Sequence, residues 1–542
     1  MKIQVILFGM LFLSVFLTLS AQNTDAFKWH KYELVFTSSI QYENPIQDVR
    51  TMEVTFTSPT GIEKTINAFW DGGETWKVRF MPGETGLWSF TTSCSETNNA
   101  GLNGLKGSFL CKSGNETKDI YLHGPVVNQA GTYYLTHSDG TPFFWLACTA
   151  WNGALKSTDQ EWDLYLNHRV RNHFTAVQLV TTQWRGCDKS SEGMIAFEGS
   201  GRIRINPDFF RLIDKKIDKV NEAGLVAAPV ILWALQTGSG RELSPGYYLP
   251  DDQAILLAKY IVARYGANHV IWFLGGDGNY TGTYEQRWKT IGRAVFNGRH
   301  QGIVAQHPQG RSWIGEVYKD EAWLNIIGYQ SSHSNAEATV NWINKGPMSQ
   351  MWSRLPARPI INLEPNYEEI RTGITDKDVR NACYWSLFAT PISGITYGAN
   401  GIWPWLRAGD KILNHSDAPW TSPWNVSIDL PGSKQMGFLA GFITQFEWWN
   451  LFPAQELLIK QPGDEQFNHF VSLVKTVDNS VILGYLPVRT TIEIRKPASF
   501  KYSVKWFDPA KNSYSAGSAE DNGLILKINS PSESDMLLIL TK

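Results

Sequence analysis

Two carboxylates stand out by where they sit. Asp277 closes the apolar run of HVIWFLGGDGNY, and Glu364 closes that of PIINLEPNYE. A carboxyl group directly behind a buried strand emerges at the edge of a core, not on a solvated helix face. Two such groups in different surroundings can divide a reaction. One keeps its proton and gives it to a leaving oxygen; the other stays ionised and attacks carbon or activates water. Cleavage of the acetal between two sugars needs that division. Singly, each has a plainer reading. Asp277 would be a turn residue among Gly275, Gly276 and Gly278, and Glu364 the partner of an arginine. Their shared position at strand ends favours the paired reading.

The elements that must position them follow from the rhythm of the chain. From residue 124 to 454, short apolar runs alternate with amphipathic stretches. The runs are PFFWLACTAW, FTAVQLVTT, LVAAPVILW, HVIWFLGGD, GIVAQHP, IIGYQSS, PIINLEP and GITYGANGIW. Eight near-continuous apolar strands separated by helices predict a (β/α)8 TIM barrel of the α/β class. Helix signals agree: a capping box at Thr158–Glu161, Asn206-Pro207 as cap and first turn, and Gly224 and Gly266 as stops. The stretches 183–205 and 236–250 are left as long loops. Residues 22–123 and 455–542 read instead as short alternating strands between turn residues, predicting an N-terminal β-sandwich and a smaller C-terminal one.

A barrel of this kind carries its site at the C-terminal ends of its strands, where Asp277 ends the fourth and Glu364 the seventh. Other strand ends supply groups suited to sugars: Trp151 and Asn152, Gln178 and Trp184, Trp233, His307, Gln330 and His333, and Tyr397 and Trp403. Amides and imidazoles can bond hydroxyls, and an indole can cover the C–H face of a pyranose. The chain holds 23 tryptophans, enough to serve both packing and such stacking.

Composition excludes other classes. The net charge is −2 with signs mixed along the chain, so neither nucleic acid nor an anionic membrane surface is an expected partner. Cys94, Cys111, Cys148, Cys187 and Cys383 are odd in number and sparse, so disulfides are not the framework. Cys94 and Cys111 end adjacent strand-like runs, which leaves both a cross-strand disulfide and buried thiols open. No metal or cofactor is expected, since zinc spacings, a nucleophile elbow, a Walker loop and a dinucleotide fingerprint are all missing. Lys2, an apolar run to Leu19, then Ser20 and Ala21 read as a signal peptide over residues 1–21, hence export to the periplasm or the exterior. An uncleaved anchor is the alternative. No later stretch is long and apolar enough to span a bilayer.

These residues resemble the apiosidase-like glycoside hydrolase family, through TPFFWLACTAW, VIWFLGGDGN, QHPQG, YQSSH, RPIINLEPNYE and VRNACYWSLFATPISGITYGANGIW. FWDGG, WKVRFMPGETGLWSF and GSFLC resemble the Ig-like domain found ahead of such barrels. WFDP at Trp506–Pro509 resembles a small β-domain named for collagen binding. The resemblance implies a retaining hydrolase of a complex plant or algal polysaccharide, with Asp277 as acid/base and Glu364 as nucleophile. Two departures are visible. Gly276-Asp277 stands where this architecture usually has Asn-Glu, and Cys148-Thr-Ala-Trp151 where it often has Asp-Thr-Ala-Trp. Two readings of another class keep the same fold: a carbohydrate-binding protein without turnover, and a matrix-adhesion protein.

Overall fold

The structure, a computed structural model, describes residues 25–115, 117–371, 373–415, 422–497 and 500–542. The expected signal peptide lies outside the described residues. Among the described residues no helix is long and apolar enough to cross a membrane.

The centre of the chain is a (β/α)8 barrel. Its strands are β1 (Trp145–Thr149), β2 (Ala176–Val180), β3 (Val226–Trp233), β4 (Ile271–Gly278), β5 (Ile303–Pro308), β6 (Ile326–Gln330), β7 (Ile360–Glu364) and β8 (Gly394–Ala399). Neighbours pair in parallel from β1 through β7, and β1 also pairs with β8. Closure comes from an element the sequence did not reveal. The chain leaving β7 continues to Tyr367–Glu368, which pairs in parallel with Gly398 and Ala399, the last two residues of β8. The strands are buried on both faces, as continuous apolar runs require.

The helices form where their caps lie. The Thr158 hydroxyl accepts from the Glu161 N–H and the Glu161 carboxylate from the Thr158 N–H, starting α1 (Asp159–Arg171). Asn206 caps α2 (Pro207–Glu222), which buries Phe209, Phe210, Ile213, Ile217 and Val220. Then come α3 (Asp251–Tyr265), α4 (Glu285–Val295), α5 (Glu337–Lys345), α6 (Asp376–Phe388) and α7 (Pro431–Ile443). The alternation fails once. The 309–325 link from β5 to β6 has turns in place of a helix and covers the barrel with buried Ile314, Tyr318 and Leu324.

The N-terminal domain is two sheets around Val54, Phe56, Val78, Phe80 and Phe90. In its larger sheet Cys111 pairs with Gly86, at the far end of the strand that finishes in Cys94. The register therefore separates the two, and both are buried free thiols. The C-terminal domain is a sandwich of six- and three-stranded sheets over Leu473, Ile492, Trp506 and Leu538.

Charge locks the N-terminal domain to the barrel. Asp214 on α2 accepts two bonds from Arg264 on α3, both at 2.7 Å, and two from Arg79 of the N-terminal domain, at 3.0 and 2.8 Å. Arg264 also reaches Asp71 across the seam at 2.9 Å. Burial opposes ionisation of Asp214, but the two guanidinium groups hold its carboxyl well below the usual range. A matching clamp joins the C-terminal domain: Arg380 on α6 grips Asp535 with two bonds of 2.8 Å.

Removing Asp214 takes the shared carboxylate from two buried guanidinium groups, leaving Arg264 with Asp71 and Arg79 with Glu33 as their remaining acidic partners. Asp214→Ala is expected to cost about 3–5 kcal/mol, measured by urea unfolding at neutral pH. Because the folded carboxyl titrates below its unfolded value of about 3.9, this contribution is complete above that pH and fades as pH falls further.

Candidate active site

The last turn of β4 sets Asp277. Gly275, Gly276 and Gly278 around it are demanded by packing. A Cβ on Gly276 would meet the Trp233 ring at 2.7 Å, and one on Gly275 the Tyr280 hydroxyl at 2.5 Å. Pairing with β5 is irregular here, and Asp277 adopts a left-handed backbone with φ of 49°. That conformation costs roughly 1–2 kcal/mol outside glycine, least for Asp and Asn. It seats the half-buried carboxyl at the mouth.

Glu364, 6% exposed at the end of β7, is surrounded by donors. His333 Nε2 lies 3.0 Å from Oε1, and His307 Nε2 lies 3.1 Å from Oε2, off the line of an ideal hydrogen bond. The Tyr367 hydroxyl is a third donor. It accepts from the Trp151 indole N–H at 2.9 Å, which leaves its own proton for Glu364. His307 also ties the two carboxylate strands together. Its Nδ1 accepts from the Asp277 N–H at 3.3 Å, which puts the ring proton on Nε2, facing Glu364. The His333 ring faces acceptors on both sides, with Nδ1 2.9 Å from the Pro365 carbonyl oxygen. Only a ring with a proton on each nitrogen donates to both.

These surroundings split the two acids. Burial, then repulsion from Glu364, push the Asp277 carboxyl up to about 7 against the pull of His307 and Arg185. Burial also opposes charge on Glu364, but His307 and His333 outweigh it and hold the carboxyl well below the usual carboxylate range. Near neutrality one acid keeps much of its proton while the other is charged, the combination expected of an acid and a nucleophile.

Both carboxylates line one cavity of about 310 Å³. Of the other residues expected at the site, Trp151, Trp184, Trp233, Gln330, His333 and Trp403 line it too. The indoles form a continuous wall, with ring centres 5.7 Å apart for Trp151 and Trp233 and 4.1 Å for Trp184 and Trp233. Asn152, Gln178, His307 and Tyr397 stand behind the wall. Asn152 accepts from the Trp184 indole at 2.7 Å and donates to Gly186 and Pro404, fixing two loops. Gln178 crosses the barrel from Thr396 to the Leu363 carbonyl. The Tyr397 hydroxyl donates to Glu368 at 2.6 Å. All three are fully enclosed, so they position the site without facing its space. The cavity adds Tyr367, from the short segment paired with β8, and Arg185, Arg371 and His415, which lie in loops whose shape strand periodicity does not foretell. Among the described residues no group of three His, Cys, Asp or Glu side chains could hold a metal ion.

The geometry predicts that kcat/KM falls as pH rises through about 7, where Asp277 loses its proton. The acid limb lies well below ordinary carboxylate values, and His333→Ala should move it upward to or past about 4.3. A pH–rate series on both proteins reads this.

Comparison with known proteins identifies the family and the fold. The family described as "Apiosidase-like, catalytic domain" matches residues 129–450, and residues 25–95 match a domain of unknown function, DUF5060. No curated protein matches significantly. Among solved structures, one titled glycoside hydrolase superposes with a TM-score of 0.67 at 22% identity, over 79% of this chain and 99% of that one. A glycoside hydrolase family 5 protein from Bacteroides vulgatus gives 0.68 at 21%, over 79% and 95%. A further candidate glycoside hydrolase from that organism gives 0.68 at 18%, over 96% and 100%. At such identities the likeness speaks for the fold, while the family match spans most of the chain, barrel and mouth included. The chain belongs to the apiosidase-like family and is a glycoside hydrolase.

Proposed function

We propose that the protein cleaves a glycosidic bond in a complex plant or algal polysaccharide, with retention of configuration, using Asp277 as acid/base and Glu364 as nucleophile. The observation that carries this reading is the split between the two carboxyls across one aromatic cavity. Glu364, charged and steered by His307, His333 and Tyr367, attacks the anomeric carbon. Asp277 gives its proton to the departing oxygen. A covalent glycosyl-enzyme results. Asp277, now ionised, takes a proton from water, which attacks the same carbon and releases Glu364. The Tyr367 hydroxyl and the two imidazoles accept the change in charge on Glu364 without leaving place. Trp151, Trp184, Trp233 and Trp403 supply ring faces for the sugar, and Gln330 a polar group for its hydroxyls.

Reducing-sugar release from pectic, hemicellulosic and algal glycans tests the reading. Wild type should release sugar from one class, and Glu364→Gln from none. Asp277→Asn should lose about 10²–10⁴-fold in rate. Equal release by wild type and Glu364→Gln would remove Glu364 from the chemistry.

A further inference from the structure

A second cavity lies away from the barrel mouth, in the seam between the N-terminal domain and α3. At about 400 Å³ it is larger than the catalytic one. Two of its walls come from neighbouring strands, where Trp70 and Trp76 are directly paired. Trp70 is only partly buried, and its indole N–H is fixed on the Gly73 carbonyl at 2.8 Å, so the ring is held in one orientation. Trp76 lines the same space, and its buried indole N–H meets no acceptor among the described residues. Tyr260 of α3 forms the opposite side and bonds the Trp70 carbonyl at 3.0 Å, so the seam itself shapes the cavity.

The polar lining is cationic. Arg50, Lys259 and Arg299 line it together with one carboxylate, Glu53, and Glu53 is taken by Arg299 at 2.7 Å. Among the described residues Arg50 and Lys259 have no acidic partner. The half-buried amide of Asn67 adds a donor and an acceptor. The fixed, partly exposed Trp70 indole beside two cations without a counter-charge makes a mixed surface. An indole covers a sugar ring, and a cation bonds a carboxylate. We infer that this seam is an accessory binding site for a uronic acid unit of a glycan, separate from the catalytic cavity. A chain held there raises its own concentration at the mouth without any new catalytic contact.

The test uses full-length protein carrying Glu364→Gln, so that turnover plays no part, and calorimetric titration with trigalacturonic acid and with its methyl ester. The acid should bind and the ester should bind at least about tenfold more weakly, as loss of one charge-assisted bond implies. Lys259→Glu and Arg50→Glu should each weaken the acid about tenfold, and Trp70→Ala should abolish binding. No binding of the acid, equal binding of acid and ester, or unchanged binding in both charge variants would overturn the assignment. If Trp70→Ala does not fold, the two charge variants decide. Sugar release is scored separately on wild type, so a failure of the hydrolase mechanism and a failure of this site leave different records.

Discussion

Everything at the mouth depends on keeping a negative charge on Glu364, a side chain almost wholly withdrawn from water. Burial alone would protonate it. His307, His333 and Tyr367 reverse that outcome, and each comes from a different part of the frame: the end of β5, the loop after β6 and the segment that closes the barrel. The charge then acts on Asp277, whose proton it helps to retain. Burial and this charge together set Asp277, so the two acids are coupled. His307 is the mechanical link, since a single imidazole touches the Asp277 backbone and the Glu364 carboxylate.

The supporting layers serve that contact. The glycines of β4 admit Trp233 and Tyr280, which a Cβ would displace, and so fix both the aromatic wall and the backbone twist at Asp277. Asn152 and Gln178 spend their hydrogen bonds inside the protein, one holding Trp184 and the other crossing from β8 to β7 just before Glu364. The flanking domains are tied to the helices through buried arginine–aspartate clamps. Such clamps lose stability sharply when one partner is removed, and they fix the orientation of the domains.

What was legible in the sequence had a repeating physical cause. Eight strands are buried on both faces, so their apolar runs are continuous, and the alternation with capped helices identified the barrel. The two carboxylates were legible because a charged residue directly behind such a run is rare. The rest depended on contacts between distant segments. Tyr367 reads as a loop residue, yet it extends the sheet beside β8 and donates to Glu364. Arg185 and His415 reach the cavity through loops with no periodic signal. Tyr397 and Gln178 sit on strands near the mouth, and only the packing shows that they face Glu368 and the barrel interior. The β5–β6 link has turns in place of a helix, and its buried Ile314, Tyr318 and Leu324 cover the barrel there.

The most direct test needs no substrate. Infrared difference spectra of wild type against Asp277→Asn, and against Glu364→Gln, follow the protonated carboxyl band of each acid through a pH titration. An Asp277 band should disappear with a midpoint near 7, and no Glu364 band should appear anywhere in the ordinary carboxylate range. An Asp277 band already lost at about 4, or a Glu364 band that persists above it, would contradict the assignment of acid and nucleophile.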